Sequence, residues 1–258
     1  MIEKVFVSGN SQLIYNLFQG FAGIVALIYC IFMCKKYDLK RFDAVAVSIL
    51  GVVAVYLWAM FEAWAETGFK SWGAKNTVRG ILAIPVALYP LSKFFKVKYT
   101  SMLDFSAPIL LLVQGLGHIG CIFTGCCHGF PSENGIFNPT TGTTLFPIQL
   151  VESAVSLAIF AIVLIVTIKT KYNAHGLTFP LMLVLFGFTR FACEFARDNI
   201  KVVGNLSSLA IHCLVMAIVG VIWLCIAAVL YKKKKKLLYQ CSCEDNLNEP
   251  ADNLSENV

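Results

Sequence analysis

The segment 115–129 reads GLGHIGCIFTGCCHG, and the segment 146–152 reads FPIQLVE. The first closes a long apolar run with glycines, thiols and imidazoles, and the second opens the next apolar run with an amide and a carboxylate. Polar groups at the mouth of a membrane bundle are costly unless the protein uses them. We therefore expect the functional site within residues 115–152 and whatever packs against them.

The composition around this stretch is that of a membrane protein. Of the 258 residues, 58% are apolar and 14% are charged, and the mean hydropathy is +0.73. Soluble domains have about 45–50% apolar and about 25% charged residues. The apolar runs are continuous and lack the alternation of an outer-membrane barrel, which favours helices. The net charge of +6 arises at the ends of apolar runs and in one tail, so it does not indicate nucleic-acid binding.

Apolar segments of roughly 17–25 residues predict an all-α, polytopic membrane protein with seven transmembrane helices. The segment with Pro85, Pro90 and Arg79 is the weakest of them, and the one with Arg190 and Glu194 is unusual in carrying charges. The predicted spans are 12–34, 43–64, 78–95, 102–124, 146–168, 177–197 and 206–231.

Most Lys and Arg residues of the short loops fall on one side, at 35–41, 93–98, 169–171 and 232–236. The positive-inside rule then places the N-terminus outside and the C-terminus in the cytoplasm. No cleavable signal peptide is evident at the start of the chain. We predict one transmembrane unit, 1–231, followed by a basic and then acidic cytoplasmic tail, 232–258, whose composition is typical of disorder.

Arg190, Glu194 and Arg197 have the spacing of one helix face. Arg190 lies on the order of 10 Å deeper than Arg197 along that helix. One interpretation is a structural ion pair tied to neighbouring helices. The other is a site for a phosphate or phosphoester, because guanidinium groups match phosphate oxygens.

Gln149 and Glu152 share a face just after Pro147, at a predicted helix start. Either residue alone is compatible with a cap or a loop tether. Next to an arginine site, they are candidates for substrate positioning. The glycines at 115, 117, 120 and 125 are typical of close helix packing.

One interpretation of His118, Cys126, Cys127 and His128 is a set of zinc ligands. Their spacing matches none of the usual ligand patterns, and adjacent cysteines chelate one ion poorly. We therefore predict neither a metal nor a cofactor. Five of the ten cysteines, Cys30, Cys34, Cys193, Cys213 and Cys225, lie in apolar segments, where a free thiol behaves as a small hydrophobic group.

Three motifs in this order resemble the prolipoprotein diacylglyceryl transferase family of bacterial inner-membrane enzymes. The family signature Arg-x-Gly-Asn-Phe-x-Asn-Gly-Glu-x-x-Gly aligns without a gap with 118–129. Its Pro-x-Gln-Leu-Tyr-Glu motif aligns with 147–152, and its Arg-Phe-x-x-Glu-x-x-Arg motif is intact at 190–197. Asp104 is similar to the aspartate in the segment that leads into the signature. The resemblance covers about residues 77–200.

Several signature positions differ from the family pattern. His118 replaces the signature Arg, Cys121 its first Asn and Cys126 its Glu. Val78 lies in a segment that replaces a His-Gly-Gly loop. The Gly-Cys-Cys-x-Gly run resembles a divergent branch of the family.

The resemblance implies that phosphatidylglycerol enters from the outer leaflet of the bacterial plasma (inner) membrane, where this multi-pass protein would reside. The cysteine thiol of a prolipoprotein signal peptide would attack the glyceryl carbon and release glycerol phosphate. We predict that the chain acts as a monomer. The alternatives are a lipid-binding protein of the same family without transfer activity, and a thiol-based membrane oxidoreductase that uses Cys126 and Cys127.

Carried over residue by residue, the resemblance implies a role for each site residue. Arg190 and Arg197 would bind phosphate, with Glu194 orienting Arg190, and His118 would be the catalytic base because imidazole titrates near neutrality. The remaining residues would position the lipid headgroup or allow close backbone approach, and they are Gln149, Glu152, Gly125 and Gly129.

Overall fold

A computed structural model of the chain describes residues 11–66, 68, 77–138, 141–169, 176–197 and 201–247. Within these residues there are seven α-helices, and each overlaps one of the predicted apolar segments. The mostly helical class is therefore confirmed. The helices are α1 (Ser11–Met33), α2 (Arg41–Glu66), α3 (Thr77–Phe94), α4 (Tyr99–Thr124), α5 (Ile148–Lys169), α6 (Thr178–Glu194) and α7 (Ser208–Leu247).

Five of the described helices, α1, α2, α4, α5 and α7, are long and apolar enough to cross a membrane. α3 contains Pro85 and Pro90 and has 18 residues. α6 has 17 residues, which corresponds to about 26 Å of helix against a hydrocarbon core of about 30 Å. The structure thus supports five candidate spans, while the seven-span topology and the orientation of the termini stay predictions.

The loops at one end of the bundle contain strands that the all-α prediction did not include. β1 (Pro131–Asn138) pairs antiparallel with β2 (Thr143–Leu145), and β3 (Lys201–Val203) pairs antiparallel with β4 (Leu206–Ser207). Gly142 and Gly204 lie between the paired strands with φ angles of 69° and 55°, a conformation that glycine adopts without steric cost. The fold is therefore a helical bundle with two short hairpins.

The last helix, α7, runs through the basic residues 232–236 and ends at Leu247. Residues 240–247, which we expected to be disordered, are helical. Lysine is a good helix former, so the basic run continues the helix instead of ending it. Residues 248–258 of the predicted tail lie outside the described residues, and the domain boundary at 231 stays a prediction.

Helix α4 is the centre of the bundle. It contributes to a core shared with α3, α5, α6 and α7, and also to a second core shared with α1 and α2. Its glycines lie where neighbouring helices approach. A Cβ at Gly115 would lie 2.8 Å from Leu157 of α5, and one at Gly120 would lie 3.0 Å from Tyr15 of α1. The prediction of close helix packing is therefore confirmed at Gly115, Gly117 and Gly120, whereas a Cβ at Gly125 would meet Asn138 of the first hairpin.

A buried aspartate in α4 holds the first residues of α6. Asp104 is fully buried, and its carboxylate accepts hydrogen bonds from the backbone N–H groups of Leu177 at 3.1 Å and Phe179 at 2.8 Å, and from that of Gly176. The first N–H groups of a helix have no partner within the helix, so this carboxylate satisfies them. Asp104 thereby fixes the start of the helix that carries Arg190 and Glu194.

Candidate active site

The predicted charged residues meet at one end of the bundle. His118 lies near the end of α4, Glu152 in the second turn of α5, Arg190 and Glu194 in the last turns of α6, and Arg197 just after it. We call these five residues the charged cluster. His118, Glu152, Arg190 and Glu194 are each at most 8% exposed. The helix ends therefore bring together groups from three separate segments of the sequence.

Glu152 is the centre of the charged cluster. Its Oε1 lies 3.0 Å from Arg190 Nη1, and its Oε2 lies 2.8 Å from Arg197 Nη2 and 2.8 Å from His118 Nε2. Arg197 also donates from Nε to Oε1 at 3.1 Å, so its guanidinium binds the carboxylate with two nitrogens. One carboxylate thus holds three cationic or potentially cationic side chains, an arrangement that the sequence motifs could not specify.

Glu194 forms the second anionic part of the cluster. Its Oε1 accepts a hydrogen bond from Arg190 Nη1 at 2.7 Å and lies 3.8 Å from Arg197 Nε. Its Oε2 accepts a hydrogen bond from Ser207 Oγ at 2.9 Å. The i, i+4 pair of Arg190 and Glu194 is the structural ion pair considered from the sequence, but Glu152 from another helix completes the coordination of Arg190.

Ser207 is a site residue that the sequence reasoning missed. It is 4% exposed, and its Oγ also accepts a hydrogen bond from the backbone N–H of Ala210 at 3.1 Å. A serine just before an apolar run is a typical helix N-cap signal. That signal predicts the start of α7, but it does not reveal that the same hydroxyl contacts Glu194.

Both ring nitrogens of His118 face hydrogen-bond acceptors. Nδ1 lies 3.0 Å from the backbone carbonyl oxygen of Gln114, and Nε2 lies 2.8 Å from the carboxylate of Glu152. A carbonyl oxygen only accepts, and so does an ionised carboxylate, so hydrogen bonds from both ring nitrogens require the imidazolium form of His118. With two arginines and two carboxylates, the cluster then carries one positive charge in excess.

A turn of residues 125–129, here called the cysteine turn, joins α4 to the first hairpin. Gly125 ends α4 in a left-handed conformation with φ 68°, and Cys127 is also left-handed with φ 59°. Gln149 Nε2 donates a hydrogen bond of 2.7 Å to the carbonyl oxygen of Cys126. Because Gln149 lies one turn before Glu152, the first turns of α5 hold both the cysteine turn and the charged cluster.

The cysteine turn brings two thiols to a third one on α4. The Sγ atoms of Cys121, Cys126 and Cys127 all lie within 4.8 Å of one another, and we call these residues the cysteine group. Hydrogen bonds with the thiols of Cys121 and Cys126 lower the pKa of the Cys127 thiol, and His118 and Arg197 act in the same direction. The cysteine group is therefore adjacent to the charged cluster.

The two predicted site glycines lie within the cysteine turn, where their neighbours are protein atoms. A Cβ at Gly125 would lie 2.9 Å from Asn138 Oδ1, and one at Gly129 would lie 2.7 Å from the carbonyl oxygen of Ala196 and 2.9 Å from that of Phe146. Gly129 N–H donates to Phe146 O at 2.9 Å. The close backbone approach at these glycines serves contacts within the protein.

Other polar residues noted in the sequence lie elsewhere. Arg79 is 3.9 Å from Glu62 and donates to Ser208 Oγ at 3.4 Å, outside the charged cluster. His212 Nδ1 contacts the carbonyl oxygen of Ser208 in its own helix at 2.6 Å. The structure thus brings His118, Glu152, Arg190, Glu194 and Arg197 into direct contact and places Gln149 beside them.

Comparisons with known proteins agree with the motifs. The family model described as prolipoprotein diacylglyceryl transferase matches residues 10–226. The phosphatidylglycerol–prolipoprotein diacylglyceryl transferase of Dehalococcoides mccartyi is 28% identical over 196 residues, which cover 69% of this chain and 75% of that protein. The protein of the same name from Clostridium tetani is 33% identical over 133 residues, which cover 50% of this chain and 52% of that protein. The chain belongs to the prolipoprotein diacylglyceryl transferase family.

Proposed function

We propose that this chain transfers a diacylglyceryl group from phosphatidylglycerol to the lipobox cysteine of prolipoproteins. The observation that carries the proposal is the charged cluster, a buried set of groups with one positive charge in excess. Burying charges is unfavourable unless partners compensate them. An anionic phosphate would supply the missing negative charge, and the relatives named above carry this activity in their names.

The proposal assigns phosphate binding to the two arginines. Arg190 Nη1 is held between Glu152 and Glu194, so its orientation is fixed, while Arg197 lies after the end of α6 and is partly exposed. Arg197 would exchange part of its contact with Glu152 for a phosphate oxygen. Guanidinium groups suit this because they bind carboxylate and phosphate with the same planar fork.

Gln149 and Glu152 would position the glycerol headgroup. Within the described part of the chain, the buried Gln149 Oε1 has no hydrogen-bond partner. A headgroup hydroxyl would satisfy this acceptor, because buried polar atoms are otherwise almost always paired. Gly125 and Gly129 support this arrangement indirectly by allowing the tight cysteine turn against which Gln149 packs.

An apolar cavity of about 420 Å³ between α1, α2 and α4 supports a lipid substrate. Gln19 lines this cavity, and a Cβ at Gly117 would lie 2.7 Å from Gln19 Nε2. The cavity therefore approaches α4 next to His118. Its lining is almost entirely aliphatic, which suits an acyl chain.

The reaction is a displacement at carbon. The thiol sulfur of the prolipoprotein cysteine forms a bond to the glyceryl carbon as the bond from that carbon to the phosphate oxygen breaks. Glycerol phosphate leaves with the electron pair, and the thiol proton goes to a base or to water. Cations around the phosphate stabilise the charge that develops on the leaving oxygen.

The role of His118 follows from its two hydrogen bonds. A cationic His118 would assist phosphate binding from Nε2, as the family's arginine at this position would. The base role predicted from the sequence requires a neutral imidazole and therefore the loss of one of these protons. The geometry favours the cationic role. The transfer activities of His118→Gln and His118→Arg test it. If only His118→Arg keeps transfer activity, His118 does not act as the catalytic base.

The pairing of the side chains in the charged cluster also fits one alternative, a lipid-binding protein. Among the described residues of the charged cluster, each side chain is held by an oppositely charged partner, and His118 presents no free ring nitrogen. A lipid-binding protein of this family without transfer activity needs only the phosphate site.

The proposal for the whole chain further comprises a multi-pass location in the bacterial plasma membrane, seven transmembrane helices with the N-terminus outside, a cytoplasmic tail from 232, and a monomeric state.

The test is diacylglyceryl transfer to a lipobox peptide in phosphatidylglycerol vesicles, comparing wild type, Arg190→Gln and Thr189→Val. Thr189 is next to Arg190, but among the described residues its hydroxyl bonds only to carbonyl groups of its own helix, so the Thr189→Val variant is the matched control. We expect Arg190→Gln to lose activity by about 100-fold or more, as when one charge-stabilising donor is removed. Phosphatidylglycerol binding without transfer by folded wild-type protein would establish the alternative.

A further inference from the structure

The cysteine group has no part in the proposed phosphate site, and the sequence analysis predicted no metal there. We propose that Cys121, Cys126 and Cys127 bind one Zn²⁺ ion whose fourth coordination position receives the substrate thiol. The inference rests on the proposed function, since it assigns the activation of the thiol that attacks the lipid. The zinc set considered from the sequence did not include Cys121, which the fold brings to the other two cysteines.

The distances fit a zinc site after a small closure. The three Sγ atoms lie within 4.8 Å of one another. In a tetrahedral site with Zn–S distances of about 2.3 Å, the sulfurs lie roughly 3.8 Å apart. The thiols therefore need to move together by at most about 1 Å, which side-chain rotation at Cys126 and Cys127 supplies because both residues are exposed.

The backbone explains how two adjacent cysteines serve one ion. Successive side chains normally point apart, which is the reason the sequence argued against this pair. Here the chain reverses at Gly125, with φ 68°, and Cys127 itself has φ 59°. A left-handed non-glycine residue is uncommon and is held only where the surroundings require it. The reversal turns both thiols toward Cys121.

Protein contacts hold the turn in this form. Gln149 Nε2 donates to Cys126 O at 2.7 Å, and Asn138 Nδ2 donates to Gly125 O at 2.9 Å. Thr124 Oγ1 lies 3.1 Å from Cys126 Sγ. The Thr124 hydroxyl also donates to Cys121 O at 3.2 Å, so it contacts two of the three cysteines, the kind of outer contact that orients metal ligands.

The number and charge of the ligands indicate which ion the group binds and how many positions that ion keeps open. Soft thiolates select zinc or another soft ion over Mg²⁺ or Ca²⁺. The group has three members among the described residues, and three protein ligands with one open position are the arrangement of catalytic zinc sites. Three thiolates and Zn²⁺ carry one negative charge in total.

The open position explains why the site adjoins the phosphate site. A thiol bound to zinc is deprotonated, because the ion stabilises the thiolate. The substrate thiol would lose its proton to water at the exposed cysteine turn and bind as the fourth sulfur. It would then form the bond to the glyceryl carbon while the carbon–oxygen bond to the phosphate breaks, and glycerol phosphate leaves with the electron pair. No atom changes its oxidation state, so the step needs no oxidant or reductant.

The first part of the test uses metal alone. Purified full-length protein is stripped of metal, loaded with Co²⁺ as a spectroscopic substitute for Zn²⁺, and examined by absorption. We expect one tightly bound ion with thiolate-to-cobalt charge-transfer bands for three thiolates. Cys121→Ser and Cys126→Ser should each lose this spectrum, whereas Cys225→Ser, an exposed cysteine outside the group, should keep it. A wild-type protein without these bands would overturn the inference.

The second part adds a lipobox peptide. Its cysteine form should raise the charge-transfer intensity to that of four thiolates, and a peptide with serine in place of cysteine should not. Bound metal with an unchanged spectrum while transfer proceeds would overturn the substrate-thiol assignment and leave the proposed function standing. A four-thiolate spectrum without transfer in phosphatidylglycerol vesicles would support thiol binding and contradict the proposed transfer. Full transfer by metal-free protein or by Cys126→Ser would overturn the zinc inference and leave the proposed function standing.

Discussion

The charged cluster and the cysteine group lie side by side at the end of α4, yet they differ in how their polar atoms are satisfied. In the charged cluster, one carboxylate contacts His118, Arg190 and Arg197, and a second contacts Arg190 and Ser207. In the cysteine group, three thiols face one another and two of the three residues are exposed. Thiols are poor hydrogen-bonding partners for one another. The comparison indicates that the side chains of the first region already hold one another in place and leave one positive charge for an anionic ligand, whereas the thiols of the second region would gain from a bound metal ion.

The largest effect is expected where the charged cluster loses its centre. Glu152→Gln removes the charge that compensates three side chains. Breaking a buried ion pair on one side costs about 3–5 kcal/mol of unfolding free energy, so thermal unfolding in detergent should shift strongly downward and transfer should disappear. Glu133→Gln, in the exposed part of β1, is the matched control. A Glu152→Gln protein that unfolds like the wild type would show that the cluster does not depend on this carboxylate.

Ser207→Ala tests the outer part of the same cluster. It removes the hydrogen bond to Glu194 Oε2 and the N-cap bond to Ala210 N–H. Hydrogen bonds to charged groups contribute about 1.5–3 kcal/mol, so we expect a loss of stability in that range together with weaker phosphatidylglycerol binding. Ser106→Ala, whose hydroxyl bonds only to Leu103 O in its own helix, provides the comparison in the same unfolding and vesicle-binding measurements. If the two variants have the same stability and bind vesicles equally well, Ser207 does not contribute to the site.

Much of the fold could be predicted because helix length and apolar content are local properties. The predicted span 12–34 corresponds to α1 (Ser11–Met33), and 78–95 corresponds to α3 (Thr77–Phe94), despite two prolines. The predicted span 206–231 agrees with the candidate span Ser208–Lys233, although α7 itself continues to Leu247, because a run of lysines ends a membrane span without ending a helix. The hairpins were missed because their strands are short and their pairing depends on contacts with the ends of the helices.

The sequence predicted which residues form the site, but not which of them contact one another. The spacing of Arg190, Glu194 and Arg197 predicted one helix face, but α6 ends at Glu194 and Arg197 follows it in a turn. No local pattern indicates that Glu152 lies between them. The contact of Cys121 with Cys126 and Cys127 depends on a left-handed backbone at Cys127, which cysteine rarely adopts and which a sequence therefore does not suggest. Long-range contacts and unusual backbone angles are what the sequence left open.

Gly129→Ala tests the backbone of the cysteine turn. The added methyl group would meet carbonyl oxygens of Ala196 and Phe146 at 2.7 and 2.9 Å, and forcing extra atoms into such a site costs about 1–3 kcal/mol. Gly20→Ala in α1, where a Cβ meets nothing within 4 Å, should instead stabilise the helix by roughly 0.5–1 kcal/mol. Thermal unfolding of both variants in one detergent gives the two shifts. Shifts of the same sign would contradict the tight packing of the turn.

The smallest effect is expected at the residue that joins the two regions. Gln149→Leu removes the hydrogen bond to Cys126 O and leaves that carbonyl without this donor. The loss of one such bond should lower the unfolding free energy by only about 1 kcal/mol, because Glu152 and its ion pairs stay in place. The thiols should respond more than the stability does, since the cysteine turn loses a contact that fixes its shape. We expect maleimide to modify Cys126 and Cys127 faster in this variant, while Cys225 reacts at the wild-type rate. Unchanged rates at all three cysteines would show that the cysteine turn keeps its form without Gln149. The first turns of α5 would then not couple the cysteine group to the charged cluster.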